Sequence, residues 1–328
     1  MPTFMKHATI IKSLVVAACC LACTLAFAQT TYIVEAGPGG QHSSSYTDAS
    51  FAGSTGTATA PGCTATGTRY SGTGTYFGPA RYAQATFTPA SSGFFQIDLS
   101  WPSTAGQTHT AVNLYTGAAT GGAADIWGNT GGPQGVLATG TMDMYYRAVS
   151  VWNTFTTAQL NSGTAYHVGI YGGYKTPYAG GVTPADASAN RVAIGGFRFM
   201  AATPTIGAYG GPANGASGIA LTGDGNDLYW AAGNYDSSFD VYLDTSATPT
   251  TKVASDLSGT TLSFDPDSLG LAGGTTYYWK VVSKNVDVAT PGAIYSFTTA
   301  LVPEPSTLVL SLLGGLGLTV WNSRRRTA

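Results

Sequence analysis

Short segments in which apolar and polar residues alternate recur along most of the chain. A period of two residues is typical of β-strands that bury one face. The clearest segments are residues 82–87, 94–101, 149–155, 165–171 and 277–282. Glycine- and proline-rich turns separate them, and no window has the 3.6-residue period of an amphipathic helix. The pattern therefore predicts an all-β chain folded into sandwiches or barrels.

A seven-residue pattern of leucine, glycine and tyrosine occurs once in each half of the chain. Its members are Leu160, Gly163 and Tyr166 in the first half and Leu271, Gly274 and Tyr277 in the second. This spacing is typical of the tyrosine corner of Greek-key sandwiches, in which glycine makes the turn and the tyrosine hydroxyl bonds to the main chain. Together with a break at Thr203-Pro204, the repeat predicts two tandem β-sandwich domains, residues 29–202 and 203–301.

The second predicted domain resembles a fibronectin type III domain over nearly its whole length. The strongest likeness lies at residues 271–285, where the tyrosine corner leads into a strand that places Tyr277 and Trp279 on one inward face. Trp230 corresponds to the family's core tryptophan, and residues 294–299 to its last strand. The resemblance implies a spacer or binding module.

The first predicted domain resembles the golvesin C-terminal-like family. The matching segments are residues 67–70, 83–87, 93–97, 100–102 and 189–197. An insertion around residues 116–133 departs from the family's pattern. The resemblance implies a carbohydrate-associated sandwich of the kind found on secreted bacterial proteins.

The N-terminus has the parts of a secretory signal peptide. Two lysines precede a largely apolar stretch at residues 14–25. Ala26 and Ala28 then form a cleavage site, after which Gln29 would be the first mature residue. The sequence therefore predicts that residues 1–28 are a signal peptide and that the chain is exported.

A lipoprotein signal is a second interpretation of the same segment. Residues 16–19 resemble a lipoprotein cleavage box, in which Cys19 would carry the lipid. The box comes early in the apolar run, which favours ordinary cleavage before Gln29. The alternative stays open.

Residues 302–328 form a tail with a proline-rich motif, an uncharged apolar run and an arginine cluster. These are Val302, Pro303, Glu304 and Pro305, then residues 308–321, then Arg324, Arg325 and Arg326. As a helix the run would be about 21 Å long, which is short for a hydrocarbon core of roughly 30 Å. A short transmembrane segment with a basic stop suits a temporary hold in the inner membrane.

This tail resembles the PEP-CTERM sorting signal of Gram-negative bacteria. The resemblance implies processing by an exosortase-like enzyme and release to the cell surface or the extracellular matrix. An ordinary C-terminal tail anchor is the alternative.

Composition argues against some classes of function. Between residues 29 and 301 the chain has nine basic and fifteen acidic residues, so its formal net charge is nine minus fifteen, or −6. The basic residues are scattered, which argues against nucleic-acid binding. Three of the four cysteines lie in the predicted signal peptide, so Cys63 has no partner for an intramolecular disulfide.

The sequence offers no recognisable catalytic set. Glu35 is the single glutamate between residues 29 and 301, no pair of carboxylates is marked for glycosidase chemistry, and no G-x-S-x-G elbow is present. The three histidines of that region lack metal-ligand spacing, so we predict neither an enzyme nor a required cofactor. Aspartates at residues 224–227 and 265–267 could bind a structural calcium ion, although Asx turns explain them more simply.

Sugar binding is the chemistry that the sequence favours. Tyrosine and tryptophan rings stack on the C–H faces of sugars and add a hydrogen bond. Trp127, Tyr174 and Tyr178 fall in predicted loops of the first domain, where a binding surface would lie. We therefore predict a non-catalytic exported protein that associates with extracellular polysaccharide. A purely structural adhesion or assembly protein, acting through protein contacts, and a secreted hydrolase are the alternatives.

Overall fold

A computed structural model of the chain describes residues 31–49, 51–54, 60–64, 67–71, 82–102, 109–120, 122, 133–144, 147–173 and 192–302. The predicted signal peptide and the sorting tail beyond Val302 lie outside these residues. Within them, no helix is long and apolar enough to cross a membrane. The regular structure there consists of strands and two short 3-10 helices, which confirms the predicted all-β class.

The strands that precede residue 202 form one group of three antiparallel sheets. They are β1 (Thr31–Glu35), β2 (Tyr46–Ala49), β3 (Phe51–Ser54), β4 (Thr68–Ser71), β5 (Tyr82–Phe87), β6 (Gly93–Ser100), β7 (His109–Tyr115), β8 (Val136–Asp143), β9 (Asn153–Leu160), β10 (Tyr166–Gly173), β11 (Ala193–Ile194) and β12 (Gly196–Ala201). A four-stranded sheet has the order β1-β12-β6-β9, a five-stranded sheet the order β2-β5-β10-β7-β8, and a three-stranded sheet the order β11-β4-β3.

The four- and five-stranded sheets bury a common core between them, as a sandwich requires. On β5 the inward positions are Ala83, Ala85 and Phe87, and they alternate with partly exposed residues. Phe95 and Ile97 of β6 enter the same core from the opposite sheet. The alternation seen in the sequence is therefore the burial pattern of these strands.

The strands that follow residue 205 form a second group. They are β13 (Ile206–Gly211), β14 (Ala216–Ile219), β15 (Leu228–Ala232), β16 (Ser238–Asp244), β17 (Lys252–Ser258), β18 (Ser263–Phe264), β19 (Thr276–Asn285), β20 (Val288–Pro291) and β21 (Tyr295–Thr299). One sheet has the order β13-β15-β18, and the other the order β14-β21-β19-β16-β17, with β20 paired to β19. Their core contains Trp230, Phe239, Trp279 and Phe297.

Both tyrosine-corner sequences make the same return hydrogen bond. The Asn161 N–H donates to Tyr166 Oη at 2.8 Å, and the Ala272 N–H donates to Tyr277 Oη at 2.9 Å. Gly163 and Gly274 both take the left-handed conformation, with φ of 73° and 64°. A side chain would be strained at either position, which explains the glycine of each pattern.

The segment predicted as a strand at residues 149–155 differs from the structure. Ser150 has a left-handed φ of 56° and donates its N–H to Trp101 O at 2.8 Å. The chain therefore bends at residues 149–152, and β9 begins at Asn153.

Candidate functional site

Seven side chains on the outer side of the five-stranded sheet form the candidate site, which we call the aromatic face. They are Tyr82, Gln84 and Thr86 of β5, Asn113 and Tyr115 of β7, and His167 and Tyr171 of β10. Every second residue of a strand points to the same side of a sheet. The inward neighbours of these residues fill the first core, so the seven face the other way.

Strand register gathers these residues although they are far apart in sequence. Tyr171 lies opposite Tyr82 on one side of β10, and His167 lies between Thr86 and Tyr115. At the middle of the face, Gly169 lies between Gln84 and Asn113 on the neighbouring strands. The face thus places a small residue at its centre and aromatic residues at both ends.

Ring contacts join the aromatic members into one layer. The ring centroids of Tyr82 and Tyr171 are 6.0 Å apart, those of Tyr115 and Tyr171 are 6.3 Å apart, and those of Tyr115 and His167 are 5.3 Å apart. A Cβ at Gly169 would lie 2.9 Å from the Tyr171 ring and 3.1 Å from the Tyr115 ring. Glycine is therefore required at this position because the two rings close over the backbone.

Hydrogen bonds orient the polar atoms of the face. The Tyr115 hydroxyl donates to Gln84 Oε1, and the Tyr171 hydroxyl donates to Ala119 O at 3.1 Å. Thr86 Oγ1 and His167 Nδ1 are 2.9 Å apart. The Asn113 side chain is only 3% exposed, and its amide nitrogen has no hydrogen-bond partner within the described part of the chain.

Burial sets the charge state of the face. Tyr115 and Tyr171 are almost fully covered, whereas Tyr82, Gln84 and His167 are partly exposed. Burial raises the pKa of both covered tyrosines and lowers the pKa of His167 from its ordinary value of 6.5. Burial therefore favours the neutral forms of Tyr115, Tyr171 and His167, and the face contains no Asp, Glu, Lys or Arg. The accessible part of the face is the Tyr82 ring, the Gln84 amide and the His167 imidazole, which are groups that stack on or hydrogen-bond to sugars.

An open cleft of ≈ 330 Å³ lies beside β2 and is the second feature of the first sandwich that could hold a ligand. Tyr46, Asp48 and Arg69 contribute its side chains. Arg69 binds Asp48 through two hydrogen bonds of 2.6 and 2.9 Å and also donates to Phe51 O at 2.8 Å. The single carboxylate is thus already paired, and the cleft lacks the two facing carboxylates of a glycosidase.

Other reactive side chains of the described residues have structural partners. Burial raises the pKa of the Cys63 thiol to about 11, which disfavours the nucleophilic thiolate. Glu35 is buried and accepts hydrogen bonds from the Thr64 N–H at 2.7 Å and from Gln41 Nε2 at 3.1 Å. These contacts hold residues 60–64 against the outside of the four-stranded sheet.

The aspartates considered for calcium serve as turn caps. Asp267 accepts from the Gly223 N–H at 2.9 Å and from Asn226 Nδ2 at 3.0 Å, and Asp265 accepts from the Asp267 N–H at 2.8 Å. No group of three or more histidine, cysteine or acidic residues within the described ranges could hold a metal ion. The Asp265 contact is an Asx turn, whereas Asp267 binds two groups of the distant segment 223–226.

The three residues predicted for sugar binding, Trp127, Tyr174 and Tyr178, all lie outside the described residues. Sequence reasoning instead missed Tyr82, Gln84 and Tyr115, because it treated them only as members of strands. A signal was available: β7 and β10 are free of Asp, Glu, Lys and Arg on either face. Such strands are typical of a sheet whose outer side is also covered or used.

Comparison with known proteins identifies no family, since neither a family model nor a curated protein matches the chain. Among solved structures, a Paenibacillus xanthan lyase gives a TM-score of 0.33 and 17% identity over 52% of this chain and 13% of the lyase. A Podospora anserina GH26-CBM35 β-(1,4)-mannanase gives a TM-score of 0.31 and 12% identity over 59% of this chain and 31% of the mannanase. The adhesin domain of Epf from Streptococcus pyogenes gives a TM-score of 0.31 and 8% identity over 73% of this chain and 78% of the adhesin domain. At these values the similarities define neither a family nor an activity.

Proposed function

We propose that this protein is a non-catalytic, exported component of the cell surface or extracellular matrix that binds uncharged polysaccharide through the aromatic face. The observation that carries the proposal is the layer formed by Tyr82, Tyr115 and Tyr171 with Gln84 beside it. Tyr115 and Tyr171 are covered and support the layer from within, so the ring and the amide that a sugar could reach are those of Tyr82 and Gln84. Because the face contains no Asp, Glu, Lys or Arg, it suits a neutral glycan better than an acidic one.

The proposed export route rests on the two ends of the sequence. A signal peptide cleaved before Gln29 would direct the chain out of the cytoplasm. The tail from Val302 to Arg326 would hold it briefly in the inner membrane until an exosortase-like enzyme removes the tail. The fibronectin-like module, residues 203–301, would then be the part nearest the anchor. Mass spectrometry of the mature protein from cells and medium tests this route, since it reads both termini and any lipid on Cys19.

Affinity electrophoresis through gels that contain a neutral glucan, a neutral mannan or acidic alginate tests the binding proposal. We expect retardation by a neutral polymer, and about a tenfold weaker retention of Tyr82→Ala, equivalent to about 1.4 kcal/mol. Tyr229→Ala is the matched control, because Tyr229 is a 40% exposed tyrosine on β15 of the second sandwich. Free migration of the wild type in all three gels, or equal retention of Tyr82→Ala, would reject the aromatic face.

A purely structural role has one specific observation in its favour. β8 is an edge strand of the five-stranded sheet, and Val136 and Leu137 on it are 45% and 57% exposed. An exposed apolar edge strand can pair with a strand of another protein. Crosslinking of intact cells separates the two roles, since adhesion through β8 predicts protein adducts that Leu137→Lys abolishes and Tyr82→Ala retains.

A further inference from the structure

We propose that the side chain of Asn285 clamps the two sandwiches into one rigid unit. Asn285 is the last residue of β19, at the tip of the β19–β20 hairpin, and its side chain is fully buried. Its Nδ2 donates to Phe94 O at 2.8 Å and to Ala202 O at 2.7 Å, and its Oδ1 accepts from the Phe94 N–H at 2.8 Å. One amide of the second sandwich thus binds three main-chain groups of the first, which are the N–H and C=O of Phe94 and the C=O of Ala202.

A bond from the second sandwich fixes the orientation of this amide. Ser237 Oγ donates to Asn285 Oδ1 at 3.0 Å, so the oxygen accepts two hydrogen bonds and the nitrogen donates two. All four hydrogen-bonding positions of the side chain, two lone pairs and two N–H groups, are therefore used. A buried amide that is satisfied in this way is costly to withdraw, because withdrawal removes the partner of the Phe94 N–H and of Ala202 O, whereas Phe94 O keeps the Ala202 N–H at 2.8 Å.

The next residue supplies independent evidence for the clamp. Val286 has a left-handed φ of 49°, a conformation that costs a β-branched residue steric strain and that hairpin tips normally give to Asn or Gly. Its side chain packs against the core of the first sandwich. The strained valine is thus held by a contact that exists only while the sandwiches are docked.

The first sandwich has a matching recess at Gly93. A Cβ at this position would lie 2.6 Å from Asn285 Oδ1 and would collide with Val286 Cγ2. The Phe94 ring completes the contact, with its centroid 5.8 Å from that of Tyr235. Two residues of the first sandwich and three of the second therefore fit together at the junction, which is the arrangement of a fixed interface rather than a loose linker.

The clamp determines the distance between the aromatic face and Val302, where the chain leaves the second sandwich. β19 runs from Thr276 to the clamp, and Val302 leaves beside Gly273 at the Thr276 end of that sandwich. In the first sandwich β6 starts at the clamp, and the pair of Tyr82 and Tyr171 lies at the opposite end of the five-stranded sheet. The ten residues of β19 span about 33 Å and the eight of β6 about 26 Å. A rigid junction would therefore hold the Tyr82–Tyr171 end of the aromatic face well away from the tail that follows Val302.

Rotational diffusion of the full chain tests the clamp without any ligand, so the result is independent of sugar binding. We expect ¹⁵N relaxation to give both sandwiches of the wild type the same correlation time. Asn285→Ala should split the two values and should increase protease cleavage at residues 203–205 several-fold. Val286→Gly should do the same although it relieves the strained turn.

Asn214→Ala is the matched control, because Asn214 Oδ1 accepts from the Ser296 N–H at 2.9 Å within the second sandwich, away from the junction. It should leave a single correlation time. Two different correlation times in the wild type would overturn the proposal. So would a single, unchanged correlation time in both Asn285→Ala and Val286→Gly, and if Asn285→Ala fails to fold, Val286→Gly alone decides.

Discussion

The two sandwiches share a tyrosine corner but differ in the outer side of their larger sheets. In the second sandwich Asp240 is held by Lys252 at 2.6 Å and by Lys284 at 2.9 Å, and Lys280 lies 4.9 Å from the Tyr242 ring. The aromatic face of the first sandwich instead has no charged member. A face of paired charges is compatible with water on its own, whereas a face of rings and amides gains more from a ligand that covers it. The contrast supports the proposal that the first sandwich binds a ligand and the second serves as its support.

Removing one buried tryptophan from each sandwich should have the largest effect. Trp101 and Trp279 are both fully buried in the separate cores, so each Trp→Ala change should cost about 3–5 kcal/mol of unfolding free energy. Denaturant titration gives the loss, and hydrogen exchange shows which sandwich carries it. Trp101→Ala should also weaken glycan retention. If Trp279→Ala abolished retention while the first sandwich kept its exchange protection, the division of roles would be wrong.

Asp240→Asn should destabilise the second sandwich by about 2 kcal/mol, because it leaves two lysines without their buried partner. Burial opposes ionisation of Asp240, but hydrogen bonds from Lys252, the Asp256 N–H and Lys284 outweigh it and hold the pKa of Asp240 below its ordinary 3.8. The stabilisation is therefore present above pH 3.8 and disappears as the pH falls through the lower folded pKa. Chemical denaturation between pH 7 and pH 2 should show this acid loss in the wild type and a flatter profile in Asp240→Asn. Lys280→Gln is the control.

The two corners should respond alike to loss of their hydroxyls. Tyr166→Phe and Tyr277→Phe each remove one hydrogen bond to an exposed main-chain N–H, so each should cost about 1 kcal/mol. Thermal unfolding of the two variants measures the loss of stability in each sandwich. A cost confined to one of them would show that the shared pattern stabilises only one sandwich.

His167 should give the smallest effect. Its folded pKa lies below 6.5 because of burial, so the unfolded chain binds more protons and stability should fall slightly as the pH drops below 6.5. The first sandwich should therefore melt a little earlier at pH 5.5 than at pH 7.5, and His167→Gln should reduce this difference. Hydrogen exchange of peptides from β10 measures this pH-dependent difference in stability, with peptides from β19 as the internal reference.

Local patterns predicted much of this fold, whereas the candidate site depended on distant pairing. The corner at Leu271–Tyr277 could be predicted because its glycine and tyrosine act within seven residues. The bend at Ser150 could not, since it depends on a hydrogen bond to Trp101 O, which lies just after β6 and almost 50 residues earlier in the chain. The aromatic face was missed for the same reason. Tyr82 meets Tyr171 only through the register of β5 and β10, which lie far apart in the chain.

The fit between Gly93 and the Asn285–Val286 tip limits how freely modules could be exchanged in this protein. Here an incoming module would need an asparagine and a small apolar residue at one hairpin tip, or the Phe94 N–H and Ala202 O would lose the partner that Asn285 provides. The two sandwiches should therefore be inherited as a pair, and a chimera that replaces either one should require changes on both sides of the junction.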